Sequence, residues 1–293
     1  MTTGTNTGPL SQALQNKMTG VTPLSPEEAA QQPSGDAALA SALGEETYEP
    51  PEIAAPDGFV ALPLGLKNHE KFGTVNTAEV RELTGHDEER ISRVLGTDNP
   101  WRVGTVMLEC GVDRLGDEKA TREMLQALTV GDRDYLLLQV RIMTYGHEVT
   151  YDLRCPFCDR EQSVDLDLRT DIPLKEDADT NPLRVELERS KTVATVWLPT
   201  GKDDEMILRE SAKGDLTSAE TDTLLLADCV SALADGVWLG KETALSLPVA
   251  DRSKILTAMQ ENQPGPDLSS MMVDCMSCEG EYRLPIRLPE LFR

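Results

Sequence analysis

Four of the six cysteines lie in two pairs with the spacing of metal ligands, Cys155-Pro156-Phe157-Cys158 and Cys275-Met276-Ser277-Cys278. Two intervening residues allow both thiolates of a tight turn to face one ion, and two such turns supply the four soft ligands of a closed tetrahedral site. The second pair follows the first by 120 positions, far beyond the spacing within a zinc finger. The fold must therefore bring the halves together, and the sequence predicts one structural Zn²⁺ held by all four thiolates.

Other roles of these cysteines were weighed against metal binding. A redox Cys-x-x-Cys pair needs an activated thiolate in a strand-to-helix setting, whereas these pairs lie between predicted strands. Disulfides are disfavoured because nothing in the sequence points to secretion. Reduced, buried cysteines without a ligand remain the plain alternative. Cys110 and Cys229 fall in apolar helical stretches, and we interpret them as small core residues.

The segments flanking the two pairs predict an internal duplication. When Cys155 is placed over Cys275, similar short segments follow one another in the same order in both halves. The matched segments are residues 62–65 with 198–201, 80–82 with 208–210, 107–112 with 226–231, Asp132-Arg133 with Asp251-Arg252, and Val164, Leu166 and Leu168 with Leu284, Ile286 and Leu288. We therefore expect residues 58–172 to form a first repeat and residues 173–293 a second.

Each repeat is expected to have entering strands, a helical centre and a closing hairpin that carries one cysteine pair, so the predicted fold class is α+β. A pseudo-twofold pairing of the repeats would place both hairpins around one ion, and metal binding would then contribute to folding. Apolar periodicity predicts strands at 58–62, 78–83, 183–187, 193–198 and 206–208, helices at 103–115, 133–145, 219–233 and 250–260, and hairpins at 148–168 and 271–288. Thr84 is expected to cap a further helix.

Residues 1–57 differ in composition from the rest of the chain. Gly, Thr, Ser, Ala, Pro and Glu dominate, and Lys17 is the only basic residue among the first fifty. Apolar residues are too sparse to bury a core, which predicts a disordered acidic arm. Such an arm is able to become ordered on a neighbouring subunit.

The charge balance excludes some classes of partner. The chain has 51 acidic and 28 basic residues, a net charge of −23 at pH 7, and only 4% aromatic residues. This composition predicts no nucleic-acid partner, because an acidic surface repels phosphate and few rings are present for base stacking. Residues 1–10 have neither the basic nor the apolar region of a signal peptide, and no apolar run approaches the roughly 20 residues that span a bilayer. We expect a cytosolic origin and no membrane span.

Catalytic residues are not evident in the sequence. The three histidines, His69, His86 and His147, lie in no metal-ligand motif and have no nucleophile partner nearby in the sequence. The acidic run Asp87-Glu88-Glu89 is explained by the first turn of a helix, where carboxylates complement the helix dipole. A zinc ion with four thiolates has no open position for water. The sequence therefore predicts a protein that is not an enzyme.

Several strings of the first repeat resemble a known family. They are Leu62-Pro63-Leu64-Gly65, residues 79–89, Gly131-Asp132-Arg133-Asp134-Tyr135-Leu136-Leu137, residues 141–146 and Cys155-Pro156-Phe157-Cys158. Together they resemble the baseplate hub and tail-assembly-chaperone proteins of contractile-tailed bacteriophages. The resemblance covers residues 58–170 well and the second repeat more loosely. The second repeat differs by lacking the acidic Gly-His-Asp-Glu-Glu run and by carrying a Gln263-Pro264-Gly265-Pro266 loop.

The resemblance implies a structural or assembly role through contacts with other phage tail and baseplate proteins. It implies a location in the tail baseplate of the virion, or in the host cytoplasm during assembly. Two other classes were considered: a zinc-ribbon regulator that binds polymerase or nucleic acid, and a thiol-dependent enzyme. The net charge of −23 argues against the regulator, and the missing catalytic residues argue against the enzyme.

Overall fold

The computed structural model describes residues 58–97, 102–175, 181–214, 216–284 and 292. The predicted arm at 1–57 lies outside the described residues, and so do Ile286 and Leu288 of the final predicted hairpin.

The first half begins with a four-stranded antiparallel sheet in the order β1-β2-β3-β4, and its helices lie between and after these strands. The elements are β1 (Phe59–His69), β2 (Gly73–Val80), α1 (Gly85–Leu95), α2 (Val103–Gly111), β3 (Val112–Leu115), β4 (Glu118–Lys119), α3 (Arg122–Ala127), α4 (Val130–Tyr145), β5 (Glu148–Arg154) and β6 (Glu161–Asp167). Strands β5 and β6 form a separate antiparallel hairpin.

The second half has a three-stranded antiparallel sheet in the order β10-β9-β8. Its elements are β7 (Leu174–Lys175), β8 (Leu183–Leu187), β9 (Thr192–Val196), α5 (Gly201–Lys213), α6 (Ser218–Cys229), β10 (Val230–Leu233), α7 (Lys241–Ser246), α8 (Val249–Glu261), β11 (Gly265–Pro266), a 3-10 turn (Leu268–Ser270), β12 (Met272–Asp274) and β13 (Glu281–Arg283). Strands β12 and β13 pair as a second hairpin, and β7 pairs with β11.

Apart from the two-residue strands β4, β7 and β11 and the 3-10 turn, the elements follow the same order in both halves: a strand hairpin, two helices, a strand, two helices and a closing hairpin. The fold is α+β, as the sequence predicts. Each half has a core of its own, built around Leu108 and Leu136 in the first half and around Leu226 and Ile255 in the second. Leu64 of β1 packs into the second core, so the two halves share apolar contacts.

An aspartate at the start of α4 holds a segment of β1, and another at the start of α8 holds the turn between β8 and β9. The buried Asp132 carboxylate accepts hydrogen bonds from the backbone N–H groups of Leu64 (2.8 Å) and Gly65 (3.1 Å). The Asp251 carboxylate accepts from the backbone N–H groups of Arg189 (3.1 Å) and Ser190 (2.8 Å). The Asp132 carboxylate thus satisfies two buried backbone donors, and the Asp251 carboxylate satisfies two donors that lie closer to solvent.

The arginine that follows each aspartate joins three helices. Arg133 donates to the Leu125 carbonyl and to the Thr105 hydroxyl, both at 2.8 Å. Arg252 donates to the Ala244 carbonyl at 2.6 Å and to the Thr223 hydroxyl at 2.8 Å. In each half the carbonyl lies eight positions before the arginine. The threonine lies in the second helix of the half, α2 for Thr105 and α6 for Thr223.

Several predicted elements are wrong or too long, and the predicted strands 78–83 and 193–198 end early, at Val80 and Val196. Residues 206–208, predicted as a strand, lie inside helix α5. The predicted helix 103–115 ends at Gly111, and the predicted helix 219–233 ends at Cys229; each chain segment then continues as a strand that pairs with the preceding sheet. The buried Val112 and Leu115 of β3 are spaced as they would be on a helix, which is why periodicity extended the helix. The predicted helices 133–145 and 250–260 and the predicted strand 183–187 are confirmed.

Two of the matched segment pairs do not occupy equivalent positions. Residues 62–65 lie in β1 and residues 198–201 at the start of α5, while 80–82 end a strand and 208–210 lie within a helix. The start of α5 corresponds instead to the start of α1. Both helices begin with a reciprocal capping box, Thr84 with Asp87 and Thr200 with Asp203. The second half lacks the Gly-His-Asp-Glu-Glu string but has an acidic run of its own at the start of α5, Gly201-Lys202-Asp203-Asp204-Glu205.

Candidate metal centre

The two cysteine pairs sit at the turns of the hairpins β5–β6 and β12–β13, in the same backbone conformation. The Cys155 N–H donates to the Arg160 carbonyl at 2.9 Å, and the Cys275 N–H donates to the Gly280 carbonyl at 3.0 Å. The residue after each second cysteine adopts a left-handed conformation, with φ of 59° at Asp159 and 56° at Glu279. This turn directs both thiols of a pair to one side of its hairpin.

The four sulfurs meet in one cluster between the hairpins. The Cys155 and Cys278 sulfurs are 3.7 Å apart, the Cys158 and Cys275 sulfurs are 3.6 Å apart, and all four lie within 4.8 Å of one another. A tetrahedron of sulfurs at about 2.3 Å from a central ion has edges of about 3.8 Å. The structure thus brings together all four predicted ligands, and they could hold a metal ion.

Backbone N–H groups point at a cysteine sulfur in each turn. The N–H groups of Phe157 and Ser277 point at the first sulfur of their pair, with N–S distances of 3.4 Å. The N–H groups of Ser277 and Cys278 lower the pKa of the Cys275 thiol to about 6. The Gly280 N–H lowers the pKa of Cys278, but desolvation and the neighbouring thiols outweigh it and raise that pKa to about 12.

The pKa of Cys275 is lowered while that of Cys278 is raised, so the four thiols resist being deprotonated together. Four thiolates within 4.8 Å of one another repel, so deprotonating one disfavours deprotonating the next. A cation at their centre removes this conflict, because metal-bound thiols are deprotonated outright. The chemistry of the donor set therefore suits a soft cation better than it suits four free thiols.

Gln162 on β6 links the two hairpins directly. Its Nε2 donates to the Asp274 carbonyl at 3.2 Å and to the Tyr282 hydroxyl at 3.1 Å. Its Oε1 accepts from the Met276 N–H at 3.0 Å. Gln162 and Tyr282 each lie seven positions after the first cysteine of their pair, so equivalent positions of the hairpins contact each other.

A layer of apolar side chains packs against one side of the cysteine cluster. Leu138 of α4 packs with Leu153, Leu168, Ile172 and Met271, and the buried Cys155 and Cys275 belong to the same layer. Cys158 is half-buried and Cys278 is exposed. The ring of Phe157 meets that of Tyr282 edge-on, with centroids 6.4 Å apart. The site is packed on one side and open to solvent on the other.

No other cluster of three or more potential metal ligands occurs in the part of the chain that the structure describes. Cys110 and Cys229 are both buried, as the sequence predicts, and Cys229 packs in the core of the second half. His147 lies beside Asp167, with 3.1 Å between Nδ1 and Oδ2, at the far end of the first hairpin. Among the described helices, none is long and apolar enough to cross a membrane.

The family model described as T4 bacteriophage base plate protein matches residues 71–281. The chain belongs to this family. The match includes all four cysteines of the cluster and both Asp-Arg pairs, so the phage base plate resemblance seen in the sequence is confirmed. No curated protein and no solved structure matches the chain.

Sequence reasoning missed the contacts that brace the cluster in this base plate protein. Gln162 and Tyr282 were not singled out, although they occupy the same position relative to each cysteine pair. The equal offset was the available signal. The residue types do not reveal this correspondence, because a glutamine amide and a tyrosine phenol are chemically dissimilar.

Proposed function

We propose that this protein is a non-enzymatic structural or assembly component of a phage baseplate, resembling hub subunits or tail-assembly chaperones. It acts through contacts with other tail and baseplate proteins, in the virion tail or in the host cytoplasm during assembly. Membership of the base plate family supports this role. A metal site made of the four cysteines would also be structural, since four thiolates around one ion leave no position for substrate.

We further propose that the cluster holds one structural Zn²⁺ that fastens the two halves together. The observation that carries this proposal is that sulfurs from hairpins 120 positions apart lie within 4.8 Å, with spacings suited to tetrahedral zinc. Zinc is the expected ion because it favours four thiolates in a closed site and has no redox chemistry of its own. Its binding energy then adds to the stability of the folded chain.

The body is proposed to be an internal duplication, with repeats at residues 58–172 and 173–293. The common order of elements supports this, as do the paired hairpin turns. The two Asp-Arg pairs support it further. Each buried aspartate accepts from two consecutive backbone N–H groups, and each arginine donates to a carbonyl eight positions before it and to a threonine hydroxyl. Residues 1–57 are proposed to be an acidic arm that becomes ordered on a neighbouring subunit.

The alternative of a zinc-ribbon regulator that binds polymerase or nucleic acid receives less support. A net charge of −23 repels a phosphate backbone, whereas basic surfaces of neighbouring proteins would be attracted. No nucleic-acid partner is proposed.

Deletion of the gene from its phage tests the proposed role. The phage should form heads but no functional tails, and the gene supplied from a plasmid should restore infectious particles. Normal tails in the deletion would contradict the role. Mass spectrometry of purified virions then separates two forms of the proposal, because a hub subunit stays in the particle and an assembly chaperone does not.

A further inference from the structure

The two halves meet where the α3–α4 junction of the first half lies against the start of α5. The Val130 N–H donates to the Pro199 carbonyl at 2.9 Å, and the Gly201 N–H donates to the Leu128 carbonyl at 3.0 Å. These two bonds form a short antiparallel bridge between the segments, with Thr129 opposite Thr200.

The centre of this contact is the close approach of Gly201 to Arg133. A Cβ on Gly201 would come within 2.5 Å of the Arg133 guanidinium, so a side chain there would displace this guanidinium from its present position. The negative charges of Asp204 and Glu205 face the same guanidinium. Glu205 also accepts a hydrogen bond from the Gln126 amide at 2.8 Å. The contact therefore combines a backbone bridge, the close packing of a glycine on an arginine side chain, and the attraction between that arginine and two carboxylates.

The second half has a junction like α3–α4, between α7 and α8, and the first half has a helix start like that of α5, at α1. Both of these surfaces have exposed residues. At the α7–α8 junction, Arg252 keeps the hydrogen bonds that Arg133 makes, but it is half-buried whereas Arg133 is 4% exposed. Val249, which corresponds to Val130, is 78% exposed. Leu245, which corresponds to Gln126, is also exposed.

The start of α1 is uncovered in the same way. Gly85, which corresponds to Gly201, is exposed, and a Cβ there would meet nothing within 4 Å. Glu88 and Glu89, which correspond to Asp204 and Glu205, are exposed too. The first N–H groups of a helix have no intrahelical partner, so this end retains donors for a second bridge.

We infer that a second copy of this chain docks here, with the start of its α1 against the α7–α8 junction of the first copy. The contact repeats the one between the halves. Gly85 packs against the Arg252 guanidinium, and Glu88 and Glu89 supply the negative charge. Val249 takes the place of Val130 in the backbone bridge. The occupant is a copy of the same chain because one molecule has both complementary surfaces.

The geometry of this contact is head-to-tail. Different surfaces of the two copies meet, so every added copy leaves one surface of each kind free, and the copies form a ring or an open chain rather than a twofold dimer. The net charge of −23 on each copy opposes association over long range. Association should therefore strengthen as added salt screens this repulsion.

Sedimentation velocity of the full-length, zinc-loaded protein tests the inference. The wild-type chain should shift from monomer to larger species as its concentration rises from about 1 to about 100 μM, the range expected of a weak contact. Gly85→Leu should block one surface, and Val249→Glu should block the other. Both variants should remain monomers with unchanged thermal unfolding, since neither position is packed within the chain. Gly214→Leu is the matched control, because Gly214 also has open space around it and an extended backbone.

A mixture of the two blocked variants gives the decisive result. Gly85→Leu retains the α7–α8 surface and Val249→Glu retains the α1 surface, so equal amounts should form a 1:1 dimer and nothing larger. A wild-type chain that stays monomeric at all concentrations would overturn the inference. So would oligomers that persist in either variant, or a mixture that does not associate. These results concern the purified protein alone and leave the outcome of the gene deletion unaffected.

Discussion

Replacing Asp132 with alanine removes a fully buried carboxylate that holds a distant segment of strand β1. Asp132 accepts from the Leu64 and Gly65 N–H groups, and the Thr129 hydroxyl donates to it at 2.8 Å. The alanine would leave two buried backbone donors without a partner, each at a cost of about 1–3 kcal/mol. The expected loss in the free energy of unfolding is therefore about 2–6 kcal/mol, a large part of the stability of an ordinary domain.

Two further variants serve as comparisons for the loss of stability expected of Asp132→Ala. Asp251→Ala removes the equivalent carboxylate of the second half, which accepts from the Arg189 and Ser190 N–H groups. These donors lie closer to solvent, so water can replace part of the loss, and we expect a cost of about 1–4 kcal/mol. Asp117→Ala changes an exposed side chain in a turn and should stay within about 0.5 kcal/mol of the wild type.

Urea unfolding followed by circular dichroism, with zinc in excess, measures all three variants under the same conditions. The expected order of destabilisation is Asp132→Ala, then Asp251→Ala, then Asp117→Ala. If Asp132→Ala behaved like Asp117→Ala, the reasoning on the buried donors would be refuted. If Asp251→Ala alone behaved like Asp117→Ala, the equivalence of the two halves would fail instead.

Three further predictions concern the metal site and one half-buried carboxylate. Cys155→Ser and Cys275→Ser should lower the melting temperature by similar amounts and abolish the additional loss that a chelator causes in the wild type; a severe effect in one and none in the other would rule out a shared site. Gln162→Ala should cost about 1–3 kcal/mol in urea unfolding and leave zinc content unchanged, whereas loss of zinc would assign Gln162 a larger role. Burial and the nearby Asp204 raise the pKa of Asp134 to about 7, so the folded state holds this proton more tightly than the unfolded state and loses stability as pH rises from about 4 to about 7. Asp134→Asn should remove a loss on the order of 2 kcal/mol between pH 5 and pH 8, and an unchanged pH dependence in that variant would contradict this assignment.

The cysteine cluster could be predicted from sequence because metal chemistry constrains both residue type and spacing. Two residues between thiolates suit one turn around one ion, and the flanking alternation of apolar residues indicated hairpins on both sides. The Asp-Arg pairs were also visible as repeated strings. Their partners were not, since the backbone N–H groups that Asp132 accepts from lie 67 and 68 positions away and have no side-chain signature.

The errors arose where short segments carry too little information. Matches of three or four residues placed 62–65 over 198–201, although one segment is a strand and the other begins a helix. The capping boxes Thr84–Asp87 and Thr200–Asp203 were the better guide, because a threonine followed three positions later by an acidic residue has a physical role at a helix start. The short helices α3 and α7 are six residues each, too short for a periodicity to be read.

The most direct test of the proposed zinc site is a metal analysis of the full-length protein purified without chelators, combined with X-ray absorption at the zinc edge. One zinc ion per chain with four sulfur neighbours at about 2.3 Å is the expected result. Cys275→Ser should lose this zinc although Cys155 and Cys158 remain. Zinc well below one per chain, or oxygen and nitrogen neighbours in place of sulfur, would contradict a four-cysteine site that joins the two halves.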